Sequence, residues 1–424
     1  MPQGFGLKGR EDRGAIDVLS ERKMRMKAFV LEGRGKVSFI EKEEPKLLEE
    51  HGVLITPVLV SPCTSDVHTI WQGSPKRKDL TLGHECIGRI LKKGREVKDF
   101  SEGEIVAISA ITPDWGSPEV LENEAHAGHP FSAHSLGKSI DGAFQECFYL
   151  PYADQNLGKI PKDMDLEDAL LSVDVLQTGF TAAEEGEVKP GDTVCVLGIG
   201  AIGLGAVFAA KLMGAKKIFA VGSREDSKRM AESLSSESCP VVVLDYKTCK
   251  ASLPKDKHPL ANSTHSPIIN AIWEETEGKG VDKVLICGGD EYALAQALDM
   301  VKYGTGIVSN VAYFGSEEDV EALEMAGQDM EISLGEKKKR KKAIDGLLLP
   351  KFSLGKGMAG KTLRFSLSKG GRKHLEWVLE KVQESGFHPS IFLTKRYHGM
   401  DKIPDALYDM KERRAIKVAV YMEI

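Results

Sequence analysis

Between Met26 and about Tyr149 the apolar positions fall in short alternating runs broken by Gly and Pro: "KAFVLEG", "GVLITPVLVSP", "CIGRILKKG" and "EIVAISAITP". Period-two alternation over such short segments predicts half-buried strands, and their close succession predicts a partly open β-barrel rather than a helical domain. After Lys189-Pro190-Gly191-Asp192 the pattern changes. The apolar run Thr193-Val194-Cys195-Val196-Leu197 enters Gly198, and a helix-like stretch then reaches Met213. Further strands are predicted over 217–221, 241–244, 283–287 and 306–314, with "EYALAQALDMVK" as a helix between the last two. Strands alternating with helices make βαβ units and a parallel sheet.

The expected architecture is therefore α/β, a Rossmann doubly wound parallel sheet joined to a β-barrel. Its predicted parts are a polar extension (1–25), a barrel domain (26–177), a dinucleotide-type domain (178–325) interrupted by an insertion (255–266), and a last segment (326–424) that begins with an insertion and returns to complete the barrel. A chain of 424 residues is too long for one ordinary core, which agrees with two domains.

Composition narrows the functional classes. Hydrophobic content of 42% beside 28% charged residues describes a globular protein in water. A net charge of −6 gives no electrostatic reason to expect nucleic acid as a partner. No apolar run approaches the roughly 18–20 residues that cross a bilayer, so no membrane partner is expected. Residues 1–23 are polar and carry Glu11, Asp12, Asp17 and Glu21, unlike a signal or transit peptide. Seven scattered cysteines without a C-x-x-C pair fit a reducing compartment, the cytoplasm. Within the stretch 316–342, the basic run Lys337 to Lys342 reads as a solvated loop in preference to a nuclear signal or anion patch. His126, His129 and His134 sit irregularly in a Gly/Ala/Pro loop and read as surface histidines.

Gly198-Ile199-Gly200-Ala201-Ile202-Gly203 matches G-x-G-x-x-G, and it follows a predicted strand and opens a predicted helix. The first glycine permits the tight turn, the second lets the backbone approach a pyrophosphate, and the third lets helix and strand pack closely. An NAD enzyme places Asp or Glu about 20 residues further on to bind the ribose hydroxyls. Here Gly222-Ser223-Arg224 stands instead, leaving room, a hydroxyl and a guanidinium for a 2′-phosphate. NADP(H) is the expected cofactor.

Three segments supply metal-ligand residues: Cys63 in Pro62-Cys63-Thr64-Ser65-Asp66-Val67-His68, His84 and Glu85 in Leu82-Gly83-His84-Glu85, and Asp174 ahead of Gln177-Thr178-Gly179-Phe180. Thiolate, imidazole and carboxylate are competent zinc ligands, and a catalytic zinc needs three plus an open position. These segments, with "VKDF", "AITPDW", "VLGIGAIGL", "AVGSR" and "YFG" in the same order, resemble the medium-chain zinc alcohol dehydrogenases, most closely the NADP-dependent secondary alcohol dehydrogenases. The resemblance covers Met26 to the C-terminus apart from the two insertions.

It implies that the barrel is a GroES-like catalytic domain and that Cys63, His84 and Asp174 bind a catalytic Zn2+, with Glu85 as a fourth, exchangeable ligand. Gly222, Ser223, Arg224 and Tyr246 would hold the 2′-phosphate. The substrate would be a small secondary alcohol or ketone, and the assembly a homotetramer. No Cys lies between Cys86 and Cys147, so the family's four-cysteine structural zinc lobe is missing, as in the secondary-alcohol subgroup. Ala110, Tyr313 and residues 354–358 match segments that line the pocket there.

Ser65, two residues beyond Cys63, would share the metal-facing side of an extended segment and act as a proton relay. His68, whose ordinary pKa lies near neutrality, would end that relay. Two other readings compete. One is a zinc dehydrogenase for polyols or amino-alcohols; the other is a catalytically weak NADPH-binding relative, suggested by the insertions and the tail.

Overall fold

The computed structural model describes residues 25–71, 78–118, 120, 136–252, 266–289, 292–312 and 358–423. The N-terminal part contributes β1 (Arg25–Gly33), β2 (Lys36–Glu43), β3 (Val53–Ser61), β4 (Leu80–Thr81), β5 (Glu85–Lys93), β6 (Ile105–Ile108), β7 (Phe148–Leu150) and β8 (Leu157–Lys159). The middle contributes β9 (Thr193–Leu197), β10 (Lys217–Val221), β11 (Val241–Leu244), β12 (Lys283–Ile286), β13 (Ile307–Asn310) and β14 (Thr362–Phe365), and the C-terminal part β15 (Leu393–His398) and β16 (Lys417–Tyr421).

Strands β9 to β14 form one six-stranded sheet in the order β11-β10-β9-β12-β13-β14, parallel throughout. All five residues of β9 are buried, as a central strand covered on both faces requires. The strand order reverses between β9 and β12, the crevice where open α/β sheets take their ligands. A seven-stranded sheet in the order β15-β16-β3-β5-β6-β8, with β7 on β3, and a three-stranded sheet β2-β1-β4 make the barrel-like part. The last strand β16 pairs antiparallel with β3, Val420 opposite Val60, so the chain's end is built into the N-terminal sheet.

Strand β3 alternates buried and half-buried positions until its last three residues, all buried, where it enters the space between the two parts. Its antiparallel register with β5 sets Ser61 opposite Glu85 and Val60 opposite Cys86. The residues just after β3 and just before β5 therefore emerge at the same end of the sheet. Facing them, the helix Leu166–Leu171 passes through a π-helical turn, Ser172–Leu176, into the helix Gln177–Glu185. Such wide turns recur at functional sites because they push one side chain out of the helical row. Here that turn carries Asp174.

Strands are found at 217–221 and 241–244 as the pattern predicts, whereas the strand expected over 283–287 stops at Ile286 and that over 306–314 stops at Asn310. Both end where parallel pairing with their neighbours ends. The predicted helix before the last of these narrows to Ala293–Met300, with Val301 already extended. His126, His129, His134, Tyr313, residues 354–357 and the basic run 337–342 lie outside the described residues.

Candidate active site

Cys63, His84, Glu85 and Asp174 converge, each buried, with one ligand atom apiece all within 4.8 Å of one another. Cys63 Sγ lies 3.4 Å from Asp174 Oδ2, and His84 Nε2 lies 3.9 Å from the same oxygen. A tetrahedral zinc with bonds of about 2.0–2.3 Å separates its ligand atoms by about 3.5 Å, so this spacing suits the ion.

The surrounding side chains aim the ligands. Asp66 Oδ1 lies 3.4 Å from His84 Nδ1, a partner that fixes the proton there while Nε2 is turned to the cluster. Its other oxygen accepts from the Cys63 backbone N–H at 2.9 Å, which holds the turn that carries the thiol. Thr178 Oγ1 donates to Asp174 Oδ1 at 3.0 Å from one helical turn further on. Lys417, on β16, donates from Nζ to Glu85 Oε1 at 2.5 Å and to the Pro62 carbonyl at 2.9 Å, while only 2% exposed. The other oxygen, Glu85 Oε2, is buried and finds no hydrogen-bond partner.

The electrostatics of the cluster suit a divalent cation. Burial pushes the Glu85 carboxyl up to about 8, against the pull of Lys417 and with the push of Asp174. Burial and the neighbouring Asp174 charge likewise raise the Cys63 thiol. Burial works against the Asp174 carboxylate too, but His84 and Lys417 outweigh it and hold it below its ordinary value. For His84, burial is outweighed by the Asp66 charge and hydrogen bond, which raise it well above its ordinary value. A divalent cation would take the place of the protons on thiol and imidazole and give the orphaned carboxylate oxygen a partner. The donor set therefore fits zinc.

The second half of the site lies at the ends of β9 and β10. Gly198 takes a φ of 84°, and a Cβ on it would stand 2.7 Å from the Gly288 Cα. The N–H groups of Gly198 and Ile199 both donate to the Val221 carbonyl, at 3.0 and 3.3 Å, tying the loop to β10. Gly203 has the Gly198 carbonyl oxygen 2.0 Å from where its Cβ would be, so helix and loop touch backbone to backbone. Gly200 has open space on that side, and the helix Ala201–Leu212 starts right after it with its N–H groups unpaired along the axis. Gly222, Ser223 and Arg224 follow β10, and Tyr246, 55% exposed, follows β11 next to them in the sheet. Arg224 Nη2 donates to the Ala415 carbonyl at 2.7 Å, just ahead of β16. Glu225 and Asp226 open the next helix.

One expectation needs correcting. Ser65 is not in an extended segment; it belongs to the helix Thr64–Trp71, whose first turn closes on the Cys63 carbonyl. It reaches the metal side all the same, with Oγ 3.3 Å from His84 Nε2. His68, three residues on in the same helix, lies on the same helical face as Ser65. Three residues of the site were also missed. Asp66 was in plain view between the Cys and the His of its segment, and Thr178 belongs to the TGF motif. Lys417 stands alone in the apolar run "AIKVAVY", and a lysine in a buried strand requires an acid partner.

The fold and site define a zinc-binding dehydrogenase built from a GroES-like domain and a Rossmann domain. The alcohol dehydrogenase GroES-like domain family matches residues 49–162, and the zinc-binding dehydrogenase family matches residues 201–335. The NADP-dependent isopropanol dehydrogenase of Clostridium beijerinckii is 36% identical over 390 residues, 92% of this chain and 97% of the relative. That of Thermoanaerobacter brockii has the same identity and coverage. Among solved structures, the alcohol dehydrogenase of Thermus sp. ATN1 superposes with a TM-score of 0.71 at 22% identity, covering 94% of this chain and all of that one. Benzyl alcohol dehydrogenase from Acinetobacter calcoaceticus gives 0.72 at 20% identity, over 94% and 99% of the two chains. The chain belongs to the zinc-dependent medium-chain alcohol dehydrogenases. Among its described residues no helix is long and apolar enough to cross a membrane.

Proposed function

We propose that this chain transfers a hydride between NADP(H) and a small secondary alcohol or ketone, using zinc held by Cys63, His84 and Asp174 with Glu85 as an exchangeable fourth ligand. The observation that carries the reading is the buried four-residue cluster, whose Asp174 sits on a turn packed against the helix that the glycine loop opens. The isopropanol dehydrogenases named above support a secondary alcohol as substrate and NADP(H) as cofactor.

When bound, zinc supplies Lewis acidity that lowers an alcohol's pKa or polarises a ketone. The protein's own groups do the rest. Asp66 holds His84 in one tautomer, and Thr178 holds one oxygen of Asp174 so that the other faces the cluster. In the oxidative direction Ser65 accepts the alcohol's proton and His68, one turn along the helix, delivers it to water. The backbone of Gly198, Gly200, Ala201, Ile202 and Gly203 would anchor the cofactor's pyrophosphate, and the bound nicotinamide would supply the hydride acceptor or donor. Gly222, Ser223, Arg224 and Tyr246 receive the 2′-phosphate.

The further parts of the reading are that the protein acts in the cytoplasm as a homotetramer, and that the extension expected over 1–25 ends before Arg25, which already belongs to β1. All seven cysteines are free, in keeping with a reducing compartment. The test follows NADPH oxidation with acetone, 2-butanone, acetaldehyde and a sugar, before and after dialysis against a chelator. Turnover of the ketones, lost with the metal and restored by zinc, is the expected result. Turnover confined to aldehydes or sugars would refute the secondary-alcohol assignment.

A further inference from the structure

Gly222 is a glycine without a backbone reason. Its φ is not in the left-handed region, so any L-residue could adopt its conformation. The obstacle is one side chain. A Cβ on Gly222 would stand 2.3 Å from Ile199 Cγ1 and 3.0 Å from Cδ1. Ile199 is 3% exposed and packs in the same core as Val196, Leu204 and Ala231. Its backbone is tied down as well, because its N–H donates to the carbonyl of Val221, the residue before Gly222. A β-branched side chain is restricted at χ1, and the close packing around Ile199 resists a swing of its γ-carbon. Beyond the γ-branch the space is adequate: the Cβ of Ile199 would lie 3.7 Å from a Cβ at 222, an ordinary contact.

We infer that Ile199 is a specificity-determining residue: its γ-branch fills the volume that a side chain at position 222 needs, and so bars the carboxylate that would bind the ribose diol of NAD(H). The inference rests on reading Gly222 to Arg224 as the ribose end of the cofactor site. Cofactor choice then has two layers. Ser223 and Arg224 attract a 2′-phosphate, while the middle residue of the G-x-G turn excludes the acid that would repel it. A single Gly222→Asp change meets the wedge, and only a paired change removes it.

The test uses the full chain and two readouts, the thermal midpoint and equilibrium titration of NADPH and NADH. Gly222→Ala should lower Tm by about 3–6 °C through overpacking. In Gly222→Ala/Ile199→Ala the loss should be clearly smaller than the sum of the two single losses, because each change relieves the other. Gly222→Ala/Ile199→Val should show no such relief, since valine keeps a carbon at the Cγ1 position. Gly222→Asp/Ile199→Ala should bind NADH at least about tenfold tighter than Gly222→Asp does, and NADPH at least about tenfold more weakly than the parent, because a carboxylate there meets the ribose hydroxyls and repels the phosphate. Additive Tm losses, or Gly222→Asp alone binding NADH as tightly as the double variant, would overturn the wedge and leave the ribose-end reading standing. Cofactor affinities unmoved in every variant would overturn both.

Discussion

The metal cluster and the glycine loop are built on opposite principles. Around Cys63, His84, Glu85 and Asp174 the chain buries charges: three groups able to be anionic, an imidazole, and the ammonium of Lys417. Desolvation opposes every one of them, and the arrangement holds only because each charge has a partner or a proton. The loop at Gly198 to Gly203 buries almost nothing charged. It is held by backbone touching backbone, with the Gly198 oxygen 2.0 Å from where a Gly203 Cβ would be. A site made of buried charge depends on its occupant and on distant partners, so its failures should be electrostatic and large. A site made of close backbone approach is finished before its ligand arrives, and its failures should be steric and local.

The largest effect is expected where a ligand is lost. Asp174→Asn keeps the shape of the side chain but removes the charge that balances the metal. Zinc content should fall below about a tenth of the parent's and kcat/KM by about a thousandfold or more, about 4 kcal/mol of transition-state stabilisation. Metal analysis beside NADPH oxidation checks both. Normal zinc content in the variant would show that Asp174 is not a ligand.

Next comes the partner behind the ligands. Lys417→Met leaves Glu85 buried with neither oxygen paired, which should cost about 3–5 kcal/mol in chelated protein, read from denaturant unfolding with its slope unchanged. The double variant Lys417→Met/Glu85→Gln should recover most of that loss, because no uncompensated charge remains. If the single variant unfolds like the parent, the buried pair contributes no stability and the contrast with the loop is weaker than drawn.

How far the sequence revealed each site follows the same division. The fingerprint at Gly198 was legible because its reasons are local: a strand before it, a helix after it, and glycines where backbone must pass. The metal ligands come from three separate segments, and no spacing rule joins them; only the order of several motifs did. Lys417 was not legible at all, since its partner is 332 positions away and burial is a property of the folded chain. Ser65 lies beside His84 from a helix and not from the extended segment expected. A period-two reading was carried past the end of β3, where Pro62 and the Asp66 side chain turn the chain into a helix at Thr64. Ile199 was the x of G-x-G, a position the motif leaves free, and nothing in one sequence says that it faces Gly222.

At the ribose end the expected effect is smaller and selective. Arg224→Ala removes a charge-assisted contact to the 2′-phosphate and should weaken NADPH by about 10- to 100-fold, about 1.5–3 kcal/mol, while NADH changes by about twofold or less. Fluorescence titration of both cofactors separates the two. Equal losses would mean that Arg224 serves mainly to tie the loop to the Ala415 carbonyl, at 2.7 Å, and not to read the phosphate.

The smallest effect on stability should come from the glycine that looks most exposed to insult. A methyl on Gly200 would meet nothing within 4 Å. The residue has φ −70° and ψ −166°, which alanine adopts freely, and it caps the helix Ala201–Leu212 without a side-chain bond. Replacing glycine there trades a few tenths of a kcal/mol of capping against a similar gain from a less flexible unfolded chain, so Gly200→Ala should stay within about 0.5 kcal/mol of the parent. Yet this is the position at which the backbone must approach the pyrophosphate, so the same methyl should cost NADPH and NADH affinity alike, by about tenfold or more. Parent-like stability with equal loss of both cofactors would mark open space kept for a ligand. A destabilised Gly200→Ala, or one that binds both cofactors normally, would return the loop to ordinary turn chemistry and remove the sharpest difference between it and the charged cluster.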